Sequence, residues 1–179
     1  MTDLCVRMCE MVRKVIISVV ALLLSFSALA QSERLYLDTD FNFDFDNTEY
    51  SGSGLGESET LFGVSLAPAL RYEWSEKHSL GVGVNMQKWF GSVHFLDDID
   101  LVAYYQYKDE KYGALAGLFR RDKLIGRYSE AFFSNAWLAK NRLVQGLALQ
   151  YHDQHGFVEL VADWNGMYSM ETREQFRIL

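Results

Sequence analysis

Residues 35–46 read Leu-Tyr-Leu-Asp-Thr-Asp-Phe-Asn-Phe-Asp-Phe-Asp. The odd positions Leu35, Leu37, Thr39, Phe41, Phe43 and Phe45 form one nearly apolar face. The even positions Tyr36, Asp38, Asp40, Asn42, Asp44 and Asp46 form the other. A period of two makes this a β-strand with one wet and one greasy side. The fold turns on which solvent the greasy side meets.

The same alternation recurs downstream. Thr60–Trp74 sets Phe62, Val64, Leu66, Pro68, Leu70, Tyr72 and Trp74 against Gly63, Ser65, Ala67, Ala69, Arg71 and Glu73. Ser79–Phe90, Ile99–Tyr107, Arg142–Tyr151 and Gly156–Asn165 alternate likewise. Tyr112–Arg120 is a weaker strand, rich in Gly and Ala, and Glu174–Leu179 begins an eighth. The connections between them alternate long and short, about 13, 4, 8, 4, 21, 4 and 8 residues, as in a barrel with brief turns at one membrane face. The greasy faces carry almost no charge, Lys88 and Arg120 being the exceptions. Both lie near strand ends, where a long cationic side chain snorkels to the interface. Tyr72, Trp74, Tyr105, Tyr107, Tyr112 and Tyr151 gather beside the short turns as one aromatic girdle, with Phe90 and Trp164 in the opposite one.

The expected fold is therefore all-β: an antiparallel up-and-down transmembrane β-barrel, with about eight strands visible. Such barrels usually end on an aromatic residue, whereas this sequence ends at Leu179 partway into the last strand, with Phe176 the nearest aromatic; the expectation is either an eight-stranded barrel with a short last strand or, favoured, the front part of a larger barrel. Residues 1–30 are set apart as a signal peptide. Arg13 and Lys14 precede the apolar run Val15–Phe26, and Ala28-Leu29-Ala30 forms the cleavage site, with the barrel domain at 31–179. Met11 offers an alternative start, and an uncleaved anchor is the competing reading.

Composition excludes several chemistries. Cys5 and Cys9 precede Ala30, so residues 31–179 hold no thiol nucleophile, disulfide or thiolate metal site. Those residues carry 14 Lys and Arg against 22 Asp and Glu, a charge of −8, which speaks against nucleic acid as a partner. Asp38, Asp40, Asn42, Asp44, Asp46 and Glu49 mimic calcium-loop spacing, but Phe43 stands where the loop needs Gly. His78, His94, His152 and His155 lie in turns or loops with no third ligand to complete a metal site. Ser129, Ser134 and His94 show no spacing that demands a hydrolase.

Across residues 31–179 the pattern resembles Gram-negative outer-membrane β-barrel proteins, in particular porin-like ones. Phe119–Asn135 (FRRDKLIGRYSEAFFSN) is also similar to porin-like sequences, without implying any residue's role. The resemblance implies the cell outer membrane, membrane lipid and small solutes as partners, no cofactor, and no enzymatic activity. Association into a homo-oligomer stays open. The leading expectation is a passive channel. Its lumen would be lined by Asp38, Asp40, Asn42, Asp44, Arg71, Glu73, Asp100, Glu159 and Asp163. The connection after Arg120 carries Arg120, Arg121, Lys123, Arg127, Lys140 and Arg142 against Asp122 and Glu130, a local charge of +4. Arg120, Arg121, Lys123 and Arg127 are expected to form a constriction loop facing the acidic wall, with Ala131-Phe132-Phe133 anchoring it. A structural or adhesive barrel, a membrane-embedded hydrolase and a soluble barrel holding a lipophile are the alternatives. Inward Gly, Ser, Ala and Asp favour water over a lipophile.

Overall fold

A computed structural model of the chain describes residues 34–48, 59–128, 133–167 and 173–179. The signal segment, the Gly/Ser-rich loop at 49–58 and the anchor residues Ala131 and Phe132 lie outside them, as do Ser129 and Glu130. Eight strands follow one another: β1 (Leu35–Thr48), β2 (Glu59–Ser75), β3 (His78–Trp89), β4 (Asp98–Lys108), β5 (Tyr112–Arg120), β6 (Leu143–Asp153), β7 (Gly156–Gly166) and β8 (Gln175–Ile178). A 3-10 turn (Arg121–Lys123) and one short helix, α1 (Asn135–Lys140), lie between β5 and β6. Each strand pairs antiparallel with its sequence neighbours in one sheet ordered β1 to β8. Among the described residues β1 and β8 are its unpaired edges.

Register fixes the faces. Asp40 stands opposite Ala67 and Phe41 opposite Leu66, so the acidic side of β1 continues the small-residue side of β2. Leu37, Phe41, Phe43 and Phe45 are exposed on the convex side, together with Leu80, Val82, Leu101, Leu147 and Leu160. Adjacent rings on this face meet edge-on: Phe62 lies 5.3 Å from Phe43 and 4.5 Å from Phe90. Such pairs add about 0.5–1.5 kcal/mol beyond burial.

The short turns share one end. Lys108 N–H donates to Lys77 O, His152 N–H donates to Lys111 O, and Lys77 Nζ meets Asp109 at 2.9 Å. The long connection at residues 90–97 and the base of the one after β5, at Arg121 and Arg142, share the other.

The concave side is packed. Val102, Tyr104, Leu115, Phe119, Val144, Ala148 and Val161 from β4 to β7 form one buried cluster, with Leu124 and Tyr128 of the 121–142 connection against it. Phe119 is wholly buried, and burial of such a side chain is worth about 1.5–3 kcal/mol. Here the structure departs from the expected water-filled interior. The inward glycines make room for side chains and close strand approach. A Cβ at Gly81 would lie 2.4 Å from the Tyr104 ring, and one at Gly63 2.6 Å from Trp89. Gly117, at φ +116°, lets β5 approach Ala103 O, which a Cβ would meet at 2.3 Å. The alternation of Arg142–Tyr151 puts Leu143 with Leu147, Leu149 and Tyr151 on the greasy face, yet it is buried in the same cluster, where the chain re-enters the sheet from the connection.

Candidate functional site

Two assemblies concentrate the polar chemistry. The first crosses the concave side. The 121–142 connection is tied at its base, where Arg121 N–H donates to Arg142 O at 3.0 Å. Beyond it the chain runs toward the short-turn end. There Glu159 accepts from Ile125 N–H (2.8 Å), Gly126 N–H (3.0 Å), Tyr128 OH (2.7 Å) and Gln150 Nε2 (2.7 Å). One inward carboxylate thus satisfies four donors, three of them from an irregular segment that has no ladder partners of its own. Lys123 lies over the Tyr104 ring at 4.7 Å. The connection then returns through α1. Ser134 caps the helix by accepting from Trp137 N–H, and Gln87 Nε2 donates to Ala139 O at 2.8 Å. Arg121 and Arg177 stack on Trp137 at 4.7 and 4.5 Å.

The expected lumen residues fall into pairs. Asp38 meets Arg71 at 2.8 Å, and Arg71 also binds Glu73. Asp40 meets Arg120 at 2.9 Å and takes a hydrogen bond from Asn42. Asp44 pairs with Arg142, and Asp163 with Arg121. Asp100 stands apart, 3.5 Å from Asn85 Nδ2. Arg120 thus turns inward instead of snorkelling on the greasy face, because Asp40 and Asp122 both accept from its guanidinium. Lys123 reaches the short-turn end. Arg127 is exposed and forms no ion pair among the described residues. β1 and β5 are four strands apart, so the Asp40–Arg120 pair shows that the sheet curls around the connection.

The second assembly caps the long-loop end of β3. Lys88, on the greasy face, donates its ammonium to Ser92 O at 3.0 Å and to His94 O, with Asp97 at 3.5 Å. Ser92 Oγ donates to Asp97, and His94 N–H donates to Ser92 Oγ at 3.2 Å. Trp89 N–H donates to Asp97 at 2.6 Å. The bonds from Ser92 and Trp89 hold the Asp97 carboxyl below the usual carboxylate range. The loop tip is apolar, with Val93 94% and Phe95 90% exposed. Ser92, His94, Asp97 and Lys88 therefore share one rim site beside a greasy surface. The sequence reading missed it. Its one available signal was Lys88 itself, a charge on an apolar face that required partners.

His78 hydrogen-bonds Tyr105 OH at 2.7 Å in a stack with Trp74, and His155 lies 3.7 Å from Asp153. These two and His152 belong to the short-turn end, far along the sheet from the rim. Ser134 is committed to capping α1. Among the described residues no group of three or more His, Cys, Asp or Glu is arranged to hold a metal ion.

Fold and site together define an up-and-down β-sheet protein with an apolar outer surface and an interior occupied by its own chain. The sequence profile of the Lipid A 3'-O-deacylase-type family matches residues 28–178, and the chain belongs to that family. It is an enzyme family associated with the Gram-negative outer membrane, and its substrate makes a membrane lipid the partner class. No curated protein and no solved structure matches the chain. Family membership overturns the expectation of a porin-like channel without enzymatic activity, and replaces it with the hydrolase alternative. The geometry agrees: ion pairs and an apolar cluster cross the concave side along which solutes would have to pass.

Proposed function

We propose that the chain is an outer-membrane esterase that removes an ester-linked acyl chain from lipid A. Family membership over residues 28–178 carries the reading. The exposed apolar belt supports immersion in a bilayer, and the long-loop rim then lies at the level of the lipid's sugar esters. Residues 1–30 serve export, with cleavage after Ala30.

Ester hydrolysis needs a nucleophile, a base and positive charge near the developing oxyanion. The rim site supplies all three. Ser92 Oγ attacks the ester carbonyl carbon while its proton passes to His94, whose ring turns toward Ser92 when substrate binds. The carbon–oxygen bond to the sugar then breaks, and the departing alkoxide takes that proton. Water, deprotonated by the same histidine, then attacks the acyl carbon; the bond to Ser92 Oγ breaks, the serine oxygen takes the proton back from His94, and the fatty acid leaves. Asp97, held as a carboxylate, orients the Ser92 hydroxyl and balances Lys88, the cation nearest the oxyanion. Val93 and Phe95 carry the loop into the acyl layer.

The test is incubation of the full chain with lipid A in neutral detergent, followed by mass spectrometry. The expected result is lipid A lighter by one acyl group, with the matching free fatty acid. Ser92→Ala should lower the rate by about a thousandfold or more. If the wild-type chain releases no fatty acid, the esterase reading fails. If Ser92→Ala remains fully active, the chemistry does not reside at this rim.

A further inference from the structure

Between β1 and the connection lies a cavity of about 430 Å³, within the range of small-molecule sites. It is separate from the rim site. One part of its wall carries Arg120, Arg121, Arg127 and Arg142, four cations against the carboxylates of Asp40 and Asp122, and another is apolar, with Leu124, Phe133 and Leu138. The arginines are not all consumed by neighbours. Arg120 Nη1 and Arg142 Nε are buried without a hydrogen-bond partner, although each guanidinium pairs elsewhere with Asp40 or Asp44. Arg127 has no ion pair among the described residues. Leaving a buried charged donor unmade is costly, and an anion would satisfy it.

We propose that this cavity binds an anionic amphiphile, a carboxylate bearing a medium-length acyl chain. Its head is held by Arg127 together with the free donors of Arg120 and Arg142, and its chain lies against Leu124, Phe133 and Leu138. The apolar wall separates this ligand from a bare inorganic anion. The guanidinium donors separate it from neutral or cationic lipids. Among the described residues the β1 wall is an edge strand of the sheet, so the site adjoins the line along which a membrane amphiphile can enter. The proposal stands independently of the esterase reading.

The experiment measures thermal unfolding of the full chain in a neutral detergent, titrated with octanoate, octanol, octyltrimethylammonium or inorganic phosphate. A ligand that binds only the folded state raises the melting temperature with concentration. Octanoate should do so saturably, and octanol, octyltrimethylammonium and phosphate should not. Arg127→Ala should weaken octanoate by about tenfold, the loss of one charge-assisted contact. Because Arg127 has no ion pair to lose among the described residues, the unliganded melting temperature should stay unchanged. Phe133→Ala should weaken octanoate without creating a response to phosphate. An octanoate effect undiminished in Arg127→Ala would overturn the proposal, as would equal stabilisation by phosphate or by octanol.

Discussion

Replacing Phe41 with Arg tests the solvent of the outer face most directly. Phe41 lies six residues into β1, projects from the convex side and is 65% exposed. At about 3.4 Å per residue and a tilt of about 45°, it sits about 14 Å from the strand's start. That is close to the middle of an apolar band about 25 Å tall. Arg at such a depth should cost about 2–4 kcal/mol, whereas the same change near the interface should cost about 0–1 kcal/mol. Leu35, on the same face at the start of β1, provides the comparison. The assay is reversible urea unfolding in phospholipid vesicles, with Phe41→Arg and Leu35→Arg measured against wild type. Equal losses at the two positions, or no loss at Phe41, would refute immersion of this face in lipid. The inward carboxylates would then need another explanation too, since faces on one strand are assigned together.

Further expectations rest on single contacts. Arg142 and Asp44 are both largely buried, so Arg142→Ala should cost about 3–5 kcal/mol by leaving the carboxylate alone. A double-mutant cycle with Asp44→Ala should recover much of that loss. Planar-bilayer recordings should show no stepwise conductance, because the connection occupies the interior. Gly117→Ala should destabilise the barrel by more than about 1 kcal/mol, since φ +116° and Ala103 O at 2.3 Å both exclude a methyl group. Asp97 is held below its usual range first by Ser92 and then by Trp89, so its contribution is present above the unfolded value and lost as pH falls through the folded one. Protection of the Trp89 amide, measured by hydrogen exchange, should therefore collapse only below about pH 4.

How much of this was legible in the sequence depends on what a period can encode. Alternation in β1 assigns every side chain to a face, and the long and short connections order the strands. Pattern alone carries both because each is set by nearest neighbours in the chain. The filling of the interior is not local. Gly81 and Gly83 look like a water-lined wall, yet the same smallness makes room for Tyr104 and for the backbone at Ala69. Only three-dimensional neighbours distinguish these cases. The charge contrast between β1 and the connection told more, since Arg120 and Arg142 do reach Asp40 and Asp44. The rim was hidden for another reason. Ser92, His94 and Asp97 follow no motif spacing, and a loop brings them together only because Lys88 needs acceptors.

Channel and enzyme diverge here for a single physical reason. Carboxylates and arginines facing one another across a narrow interior suit two opposite designs. If they stay apart in water, they shape a field that sorts ions. If they meet, they neutralise one another and fix a segment in place. The separation decides, and four of the inward carboxylates of β1 and β7 are in contact with arginine. An interior spent on such contacts makes a braced, curled sheet. What such a braced sheet offers a membrane is a steady rim at a defined depth. An enzyme acting on a lipid headgroup needs that steadiness, because its reacting groups must hold their place within a fraction of an ångström of a substrate that never leaves the bilayer.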